Sequence, residues 1–191
     1  MAGILIANNI VRLTKSIEAA TETWKALETR GLALGSEPTK GLAVASGPER
    51  PVLAGQVSGV AVEVHIRSDF VHFGTTEVSA VPGDGMDAEV GVHPSPGGVL
   101  GYLRSLLGQD VEVGDEAFDE AFLITSKPES AAKVLLTPPL QHLVVAIEPA
   151  KLAALRYTKE RVLVVLNGVE TDAAVLGAAV DLCCAAANRT L

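Results

Sequence analysis

Four histidines are the residues of this sequence whose chemistry includes metal binding. A site on one helix or strand needs two histidines at a short fixed spacing, such as H-x-x-x-H or H-x-H. None of the four has such a partner in the sequence. His65 and His72 flank one predicted turn and His93 lies near the end of another predicted strand, so a shared face offers a metal site from these three as an alternative. We favour solvent-exposed strand histidines and predict no cofactor.

The densest group of acidic residues runs from Asp110 to Glu120. Carboxylate oxygens of this kind bind Ca²⁺, but the spacing of an EF-hand loop is absent. Carboxylates that are close in sequence also rarely oppose each other across a cleft, as acid–base hydrolysis requires. We interpret the run as the solvated surface of a turn beside Phe118 and Phe122. A small enzyme or metal-binding domain that uses these acidic turns with the strand histidines is the alternative function.

The two cysteines are adjacent, at Cys183 and Cys184. Neighbours on a helix point about 100° apart and cannot form an ordinary disulfide. They lie on the apolar stripe of a predicted terminal helix, where a thiolate is unfavourable. The sequence also contains neither G-x-S-x-G nor a phosphate-binding G-x-x-x-x-G-K-[ST]. No catalytic residue is therefore predicted, and a protein without enzymatic activity is favoured.

Composition limits the partners of the chain. The 191 residues carry 15 Lys and Arg against 23 Asp and Glu, a formal charge of -8, and 48% are hydrophobic. A chain of this size buries enough apolar surface to fold without a metal or a disulfide. Its negative field repels nucleic acids and anionic lipids, so neither is a predicted partner. With no spaced cysteines and no basic segment before the apolar N-terminal run, we expect a cytoplasmic protein.

Apolar residues recur every three or four positions near the N-terminus, which predicts an amphipathic helix within residues 1–31. Gly31 follows a basic last turn and ends the helix. Packing on the chain's own sheet is the favoured role of the stripe. Self-association or binding of another protein through it is the other role. The stripe residues are Ile10, Leu13, Ile17, Trp24 and Leu27.

The rest of the chain alternates between strand and helix patterns. Residues 32–51, rich in Gly and Pro, predict a linker or edge strands, and residues 52–191 predict a single α+β domain. Alternating apolar residues from Val60 to Ile66 predict a strand of an antiparallel meander. A helix is predicted after Ser95, a turn from Asp115 to Phe118, and a terminal helix capped by Thr171 or Asp172. Further predicted elements are brief strands at 111–113 and 122–125, helices over 126–136 and 139–147, and a hairpin over 155–166.

The acidic run also carries a motif, D-V-x-V-G-D-x-x-F-D-x-x-F over residues 110–122, followed by A-x-x-x-L-L-T-P over residues 131–138. This pattern resembles that of a family of uncharacterised bacterial domains, and the resemblance extends from Trp24 to Leu182. The chain departs from it at Lys127-Pro128-Glu129, where the pattern has an acidic residue. The family has no assigned reaction, so the resemblance implies a fold and no catalytic residue. The spacing of the two phenylalanines itself indicates a shared face that closes one end of the sheet.

These observations predict an α+β fold. We expect an antiparallel sheet or a small half-open barrel, covered by short helices, with the N-terminal amphipathic helix and a C-terminal closing helix. The expected function is a non-catalytic cytoplasmic module that interacts with a protein, including self-association through the N-terminal helix.

Overall fold

The computed structural model describes residues 2–37, 50–67, 74–83, 85–95 and 110–189. His72 and the helix predicted after Ser95 lie outside these ranges. Within them, none of the helices combines the length and the hydrophobicity that a bilayer-spanning segment needs.

One antiparallel sheet of eight strands forms the centre of the fold, in the order β1-β2-β3-β4-β8-β7-β5-β6. The sheet is open, with β1 and β6 at its edges, so the predicted antiparallel sheet is confirmed. The β7–β8 hairpin is inserted between β4 and β5. The strands are β1 (Leu32–Glu37), β2 (Arg50–Val57), β3 (Val60–Arg67), β4 (Thr75–Ala80), β5 (Glu89–Pro94), β6 (Phe122–Lys127), β7 (Leu152–Tyr157) and β8 (Val162–Asn167).

Helices accompany the sheet, and the predicted α+β fold is therefore confirmed. The N-terminal helix continues into a 3₁₀ helix that ends at Gly31, whose φ of 87° is the left-handed conformation that glycine tolerates. Asp172 caps the C-terminal helix, because its side chain accepts hydrogen bonds from the N–H groups of Ala174 and Val175. The helices are α1 (Ala2–Trp24), the 3₁₀ helix (Lys25–Arg30), α2 (Glu116–Ala121), α3 (Glu129–Leu135), α4 (Pro138–Ala146) and α5 (Ala173–Ala187).

The core lies between one face of the sheet and α5. Along β3 the side chains alternate as predicted, with Val62, Val64 and Ile66 buried and the residues between them turned to the other face. Cys183 and Cys184 are free and buried in this layer. Burial raises the pKa of both thiols, which fits their interpretation as small core residues.

The stripe of α1 packs on the chain's own core. Ile17, Trp24 and Leu27 are at most 3% exposed, and Leu13 is half-buried against them. The side chains of Ile17, Trp24 and Leu27 are therefore part of the chain's own core. The side chain of Ile10 lies outside the described residues. Ile17, Ala20, Trp24 and Leu27 belong to the same core as the buried residues of the sheet and α5, and residues 32–37 form an edge strand.

The acidic run between β5 and β6 is part of the architecture. Asp115 caps α2 by accepting from the N–H of Phe118 at 3.1 Å, and the two oxygens of Asp119 accept from the N–H groups of Val113 and Gly114 at 3.0 Å each. Asp110 accepts from the N–H of Ile124 at 2.9 Å. These carboxylates therefore accept from backbone donors of β6, of the first turn of α2 and of the loop before it.

Two local predictions in this run were wrong and one was right. The predicted turn at residues 115–118 is the start of α2, and residues 111–113 form no strand although Val111 donates one hydrogen bond to Ile124. Phe118 and Phe122 do pack together, with ring centroids 4.7 Å apart, and both are buried. The aromatic pair fixes α2 against the start of β6.

Candidate functional site

A cavity of about 580 Å³ lies over the neighbouring strands β5, β6 and β7. Because side chains alternate along a strand, Gly91 and His93 lie on the face opposite the buried Val90 and Val92. Val90 and its partner Tyr157 also line the cavity, so residues from both faces of the sheet contribute to it, and it combines charged groups with polar and apolar ones. Its lining consists of Glu89, Val90, Gly91, His93, Val111, Thr125, Ser126, Lys127, Glu129, Arg156, Tyr157 and Thr158.

Gly91 lies at the centre of the three strands. It pairs with Arg156 of β7 on one side and with Thr125 of β6 on the other, so these two side chains lie on either side of a position that has none. A Cβ atom at Gly91 would lie 2.7 Å from the Thr125 hydroxyl oxygen and 3.6 Å from Nε2 of His93. Because Gly91 has no side chain, the Thr125 hydroxyl and the His93 ring can lie close to the backbone of β5.

Arg156 and Thr125 have no bonding partner for their side chains among the described residues. The Arg156 side chain is exposed, and neither it nor the Thr125 hydroxyl forms a hydrogen bond or an ion pair there. The end of the cavity around Lys127 contains charges of both signs. Glu89 is the register partner of Lys127, and Glu129 follows Lys127 by two residues at the start of α3. Lys127 therefore has an acidic residue on either side, and Glu89 is also the diagonal neighbour of Arg156, two residues from its partner Gly91.

The sheet order separates the histidines that were predicted to share a metal. His65 on β3 and His93 on β5 face the same side, but β4, β8 and β7 lie between their strands. Four strand spacings amount to about 19 Å, so these two side chains cannot bind one ion. The three-histidine alternative is thus wrong for the two histidines that the structure describes. Nor does any group of three or more potential metal ligands occur among the described residues.

Two mostly buried glutamates show how other charges are used. Glu77 on β4 is 3.0 Å from Nε of Arg67 and 4.0 Å from a terminal nitrogen of Arg161. His65, its cross-strand neighbour, contacts Glu63 at 3.2 Å. These groups form a network of ion pairs on the outer face of β3, β4 and β8. We therefore assign this network a structural role.

Glu170, the second glutamate, lies where β8 leads into α5 and is 1% exposed. One of its carboxylate oxygens accepts from the N–H groups of Thr171 and Asp172 at 2.9 and 2.8 Å. The other is 3.1 Å from Nζ of Lys151. The carboxylate is therefore held by one ammonium and two amide groups, which compensates its burial.

The backbone of Glu170 is held as firmly as its side chain. Its carbonyl accepts from Nε1 of Trp24 at 3.0 Å, and its N–H donates to the Thr76 hydroxyl at 2.8 Å. That hydroxyl in turn donates to the carbonyl of Gly168 at 3.1 Å. We call Trp24, Thr76, Lys151 and Glu170 the Glu170 junction, because together they join α1, β4 and β7 to the start of α5.

The sequence contains one signal for the cavity, which our reading of the sequence missed. Gly91 lies between Val90 and Val92, at a position where an alternating strand usually carries a polar side chain, and an isolated glycine inside a strand often marks a place where something approaches the backbone closely. The sequence pattern places Arg156 only in the predicted hairpin over residues 155–166. Its position inside β7, beside Gly91, is given only by the strand pairing.

Comparison with known proteins gives a fold relationship. No family model matches the chain, and no curated protein does either. Among solved structures, the crystal structure of the mycobacterial trehalose monomycolate transport factor A is similar, with a TM-score of 0.55 and 12% sequence identity. The similarity covers 87% of this chain and 91% of that one. At this identity the likeness shows a shared fold.

Proposed function

We propose that this chain is a non-catalytic module that binds another protein through the outer face of its sheet at β1, β2 and β3. The observation that carries the proposal is a group of three exposed alanines there. Ala33 of β1 pairs with Ala54 of β2, and Ala61 of β3 lies diagonally next to Ala54. All three are exposed, and we call them the alanine patch.

Alanine is a poor strand residue, so three neighbouring alanines on an exposed sheet face have no explanation in strand stability. Their short side chains leave a flat apolar surface on which a partner's side chains approach the backbone. Gln56 pairs with Ala61 and Glu63 pairs with Ala54, and both are exposed polar residues. An apolar centre with a polar border is the usual composition of a protein interface.

Two further observations support this proposal. The similar solved structure is described as a transport factor, and a role without catalysis is compatible with that description. Cys183 and Cys184 are free thiols, which supports placing the module in the cytoplasm. Self-association through α1 is not part of the proposal, because Ile17, Trp24 and Leu27 are used in the core.

Site-specific crosslinking tests the proposal. A photoreactive amino acid at position 54 is compared with one at Ala146, an exposed alanine at the end of α4, in cells that naturally produce the chain. We expect one dominant adduct from position 54, identified by mass spectrometry, that disappears when Ala61→Arg is added. An adduct of twice the chain's own mass would identify the partner as a second copy. Equal labelling from both positions, or an adduct that persists with Ala61→Arg, would contradict the proposal.

A further inference from the structure

We propose that the cavity over β5, β6 and β7 binds a small organic ligand through an anionic group, phosphate or carboxylate, seated above Gly91 between Arg156 and Thr125. This site is separate from the alanine patch, which lies on the opposite end of the same sheet. The inference therefore does not depend on the proposed function.

The geometry of the three strands places two suitable donors around one space. β7 and β6 are the two neighbours of β5, so the backbones that carry Arg156 and Thr125 are about 10 Å apart, with Gly91 between them. An arginine side chain spans most of that distance, and its guanidinium binds carboxylate and phosphate oxygens in pairs. The threonine hydroxyl donates from the other side. An anion above Gly91 thus receives hydrogen bonds from two directions.

Arg156 differs from other arginines on this face because those arginines contact a carboxylate. Arg67 and Arg161 both lie against the carboxylate of Glu77, at 3.0 and 4.0 Å. Arg156 has no carboxylate or carbonyl partner among the described residues, although it lines a cavity with two glutamates. An unpaired guanidinium beside an unpaired hydroxyl is the arrangement expected of a site whose acceptor is a ligand.

The remaining charges define the other end of the ligand. Lys127 lies between Glu89, its partner across the strands, and Glu129, so this end of the cavity carries one positive and two negative charges. Anions are therefore favoured at Arg156 and disfavoured at the Lys127 end. The glutamates accept hydrogen bonds from hydroxyl or ammonium groups. The ligand is therefore a small molecule with one anionic group and with hydroxyl or ammonium donors about the length of two strand residues from that group. The volume of the cavity lies in the range that is usual for small-molecule sites.

The absence of a side chain at position 91 is the third element of the site. A methyl group there would lie 2.7 Å from the Thr125 hydroxyl oxygen and 3.6 Å from Nε2 of His93, so it would displace the hydroxyl that donates to the anion. Gly91 also has no positive φ that would require glycine for the backbone itself. The need for a glycine at this position therefore comes from the close approach of Thr125 to the backbone of β5.

Titration of the full chain, followed by amide NMR, tests the proposal. The probes are sodium phosphate, sodium succinate and glycerol 3-phosphate, each added at constant ionic strength. We expect saturable shifts centred on residues 91, 125 and 156, and binding of glycerol 3-phosphate about three- to tenfold tighter than phosphate, because its hydroxyls reach the glutamates. Saturation by phosphate or by succinate decides which anionic group the site prefers.

Variants separate a built site from general attraction between charges. Arg156→Gln is expected to weaken binding at least about tenfold and Thr125→Val about threefold. Lys159→Gln removes the same charge from the exposed β7–β8 turn, outside the cavity, and is expected to leave binding unchanged. Melting temperatures confirm that each variant is folded. Shifts that do not saturate, no shifts, or equal loss in Arg156→Gln and Lys159→Gln would overturn the proposal and mean an adventitious ion only.

Discussion

The Glu170 junction and the cavity over β5, β6 and β7 both contain polar side chains of the same sheet, but the two regions differ in whether these side chains have hydrogen-bond and ion-pair partners. In the junction, Glu170 is 1% exposed, and its carboxylate, N–H and carbonyl all have partners. In the cavity, Arg156 is exposed, and neither it nor the Thr125 hydroxyl has a partner within the described residues. The two regions therefore contain similar polar groups, which are paired within the protein in the junction and are without described partners in the cavity.

The difference follows from the free energy of burying a charge. A carboxylate can leave water only where hydrogen bonds and an opposite charge replace its hydration, so Glu170 has to be fully paired. A guanidinium at an open cavity keeps its hydration and needs no partner from the protein. Complete pairing thus marks a group that stabilises the fold, and missing pairing in a cavity marks a group that is free to bind. Four substitutions test this contrast.

The largest effect is expected for Trp24→Ala in the junction. The Trp24 side chain is fully buried and donates to the Glu170 carbonyl, so its removal should lower the free energy of unfolding by about 3–5 kcal/mol. Urea denaturation measures this loss. Val81→Ala, at an apolar side chain that is 65% exposed, should change stability by less than about 0.5 kcal/mol. Equal effects of the two variants would show that α1 is not docked on the sheet.

The next largest effect is expected for Glu170→Gln. The variant keeps the shape of the side chain but loses the charge that Lys151 and two backbone N–H groups contact, at a cost of about 2 kcal/mol. Glu148→Gln is the control, because Glu148 is exposed and should tolerate the change. Similar denaturation midpoints for both variants would remove the distinction between buried and exposed carboxylates.

A smaller loss is expected for Thr76→Val. Valine matches the shape of threonine but leaves the N–H of Glu170 and the carbonyl of Gly168 without their hydroxyl partner, which should lower stability by about 1–2 kcal/mol. Thr75→Val changes a half-exposed neighbour on the same strand and should have little effect. Thermal denaturation of the pair measures the difference, and a neutral Thr76→Val would mean that the hydroxyl does not stabilise the junction.

The smallest effect on stability is expected for Arg156→Gln. Since Arg156 is exposed and has no partner among the described residues, the variant's free energy of unfolding should change by less than about 0.5 kcal/mol, while binding of phosphate or succinate is weakened at least about tenfold. Chemical denaturation without added anion measures the first quantity. A loss as large as that of Glu170→Gln would show that Arg156 supports the fold, and the contrast between the two regions would fail.

Short-range features could be predicted from the sequence because neighbouring residues determine them. The spacing of Ile17, Trp24 and Leu27 indicates the buried face of α1, and Asp172 is recognisable as a cap before an apolar helix. The alternation in β3 defines its buried face without reference to other strands. Helix α2 was missed because its six residues are too few to show a helical period.

Long-range features could not be predicted because they depend on the order of the strands. β4 pairs with β8, and β5 pairs with β7, across more than 60 residues of sequence in each case. That order separates His65 from His93 and brings Gly91 next to Arg156. The cavity uses residues from three strands, and no local pattern relates Thr125 to Arg156. The sequence thus identifies most of the elements but not the site that they form together.

The insertion of the β7–β8 hairpin between β4 and β5 also sets the order in which the chain is completed during translation. Until residue 167 has left the ribosome, β4 and β5 belong to separate pieces, each with an unsatisfied edge toward the missing hairpin. Pairings of such high sequence separation form slowly, and open edges of this kind promote association between nascent chains. The final third of the polypeptide is therefore the piece that closes the sheet, and chains released before it is made would be substrates for chaperones or proteases.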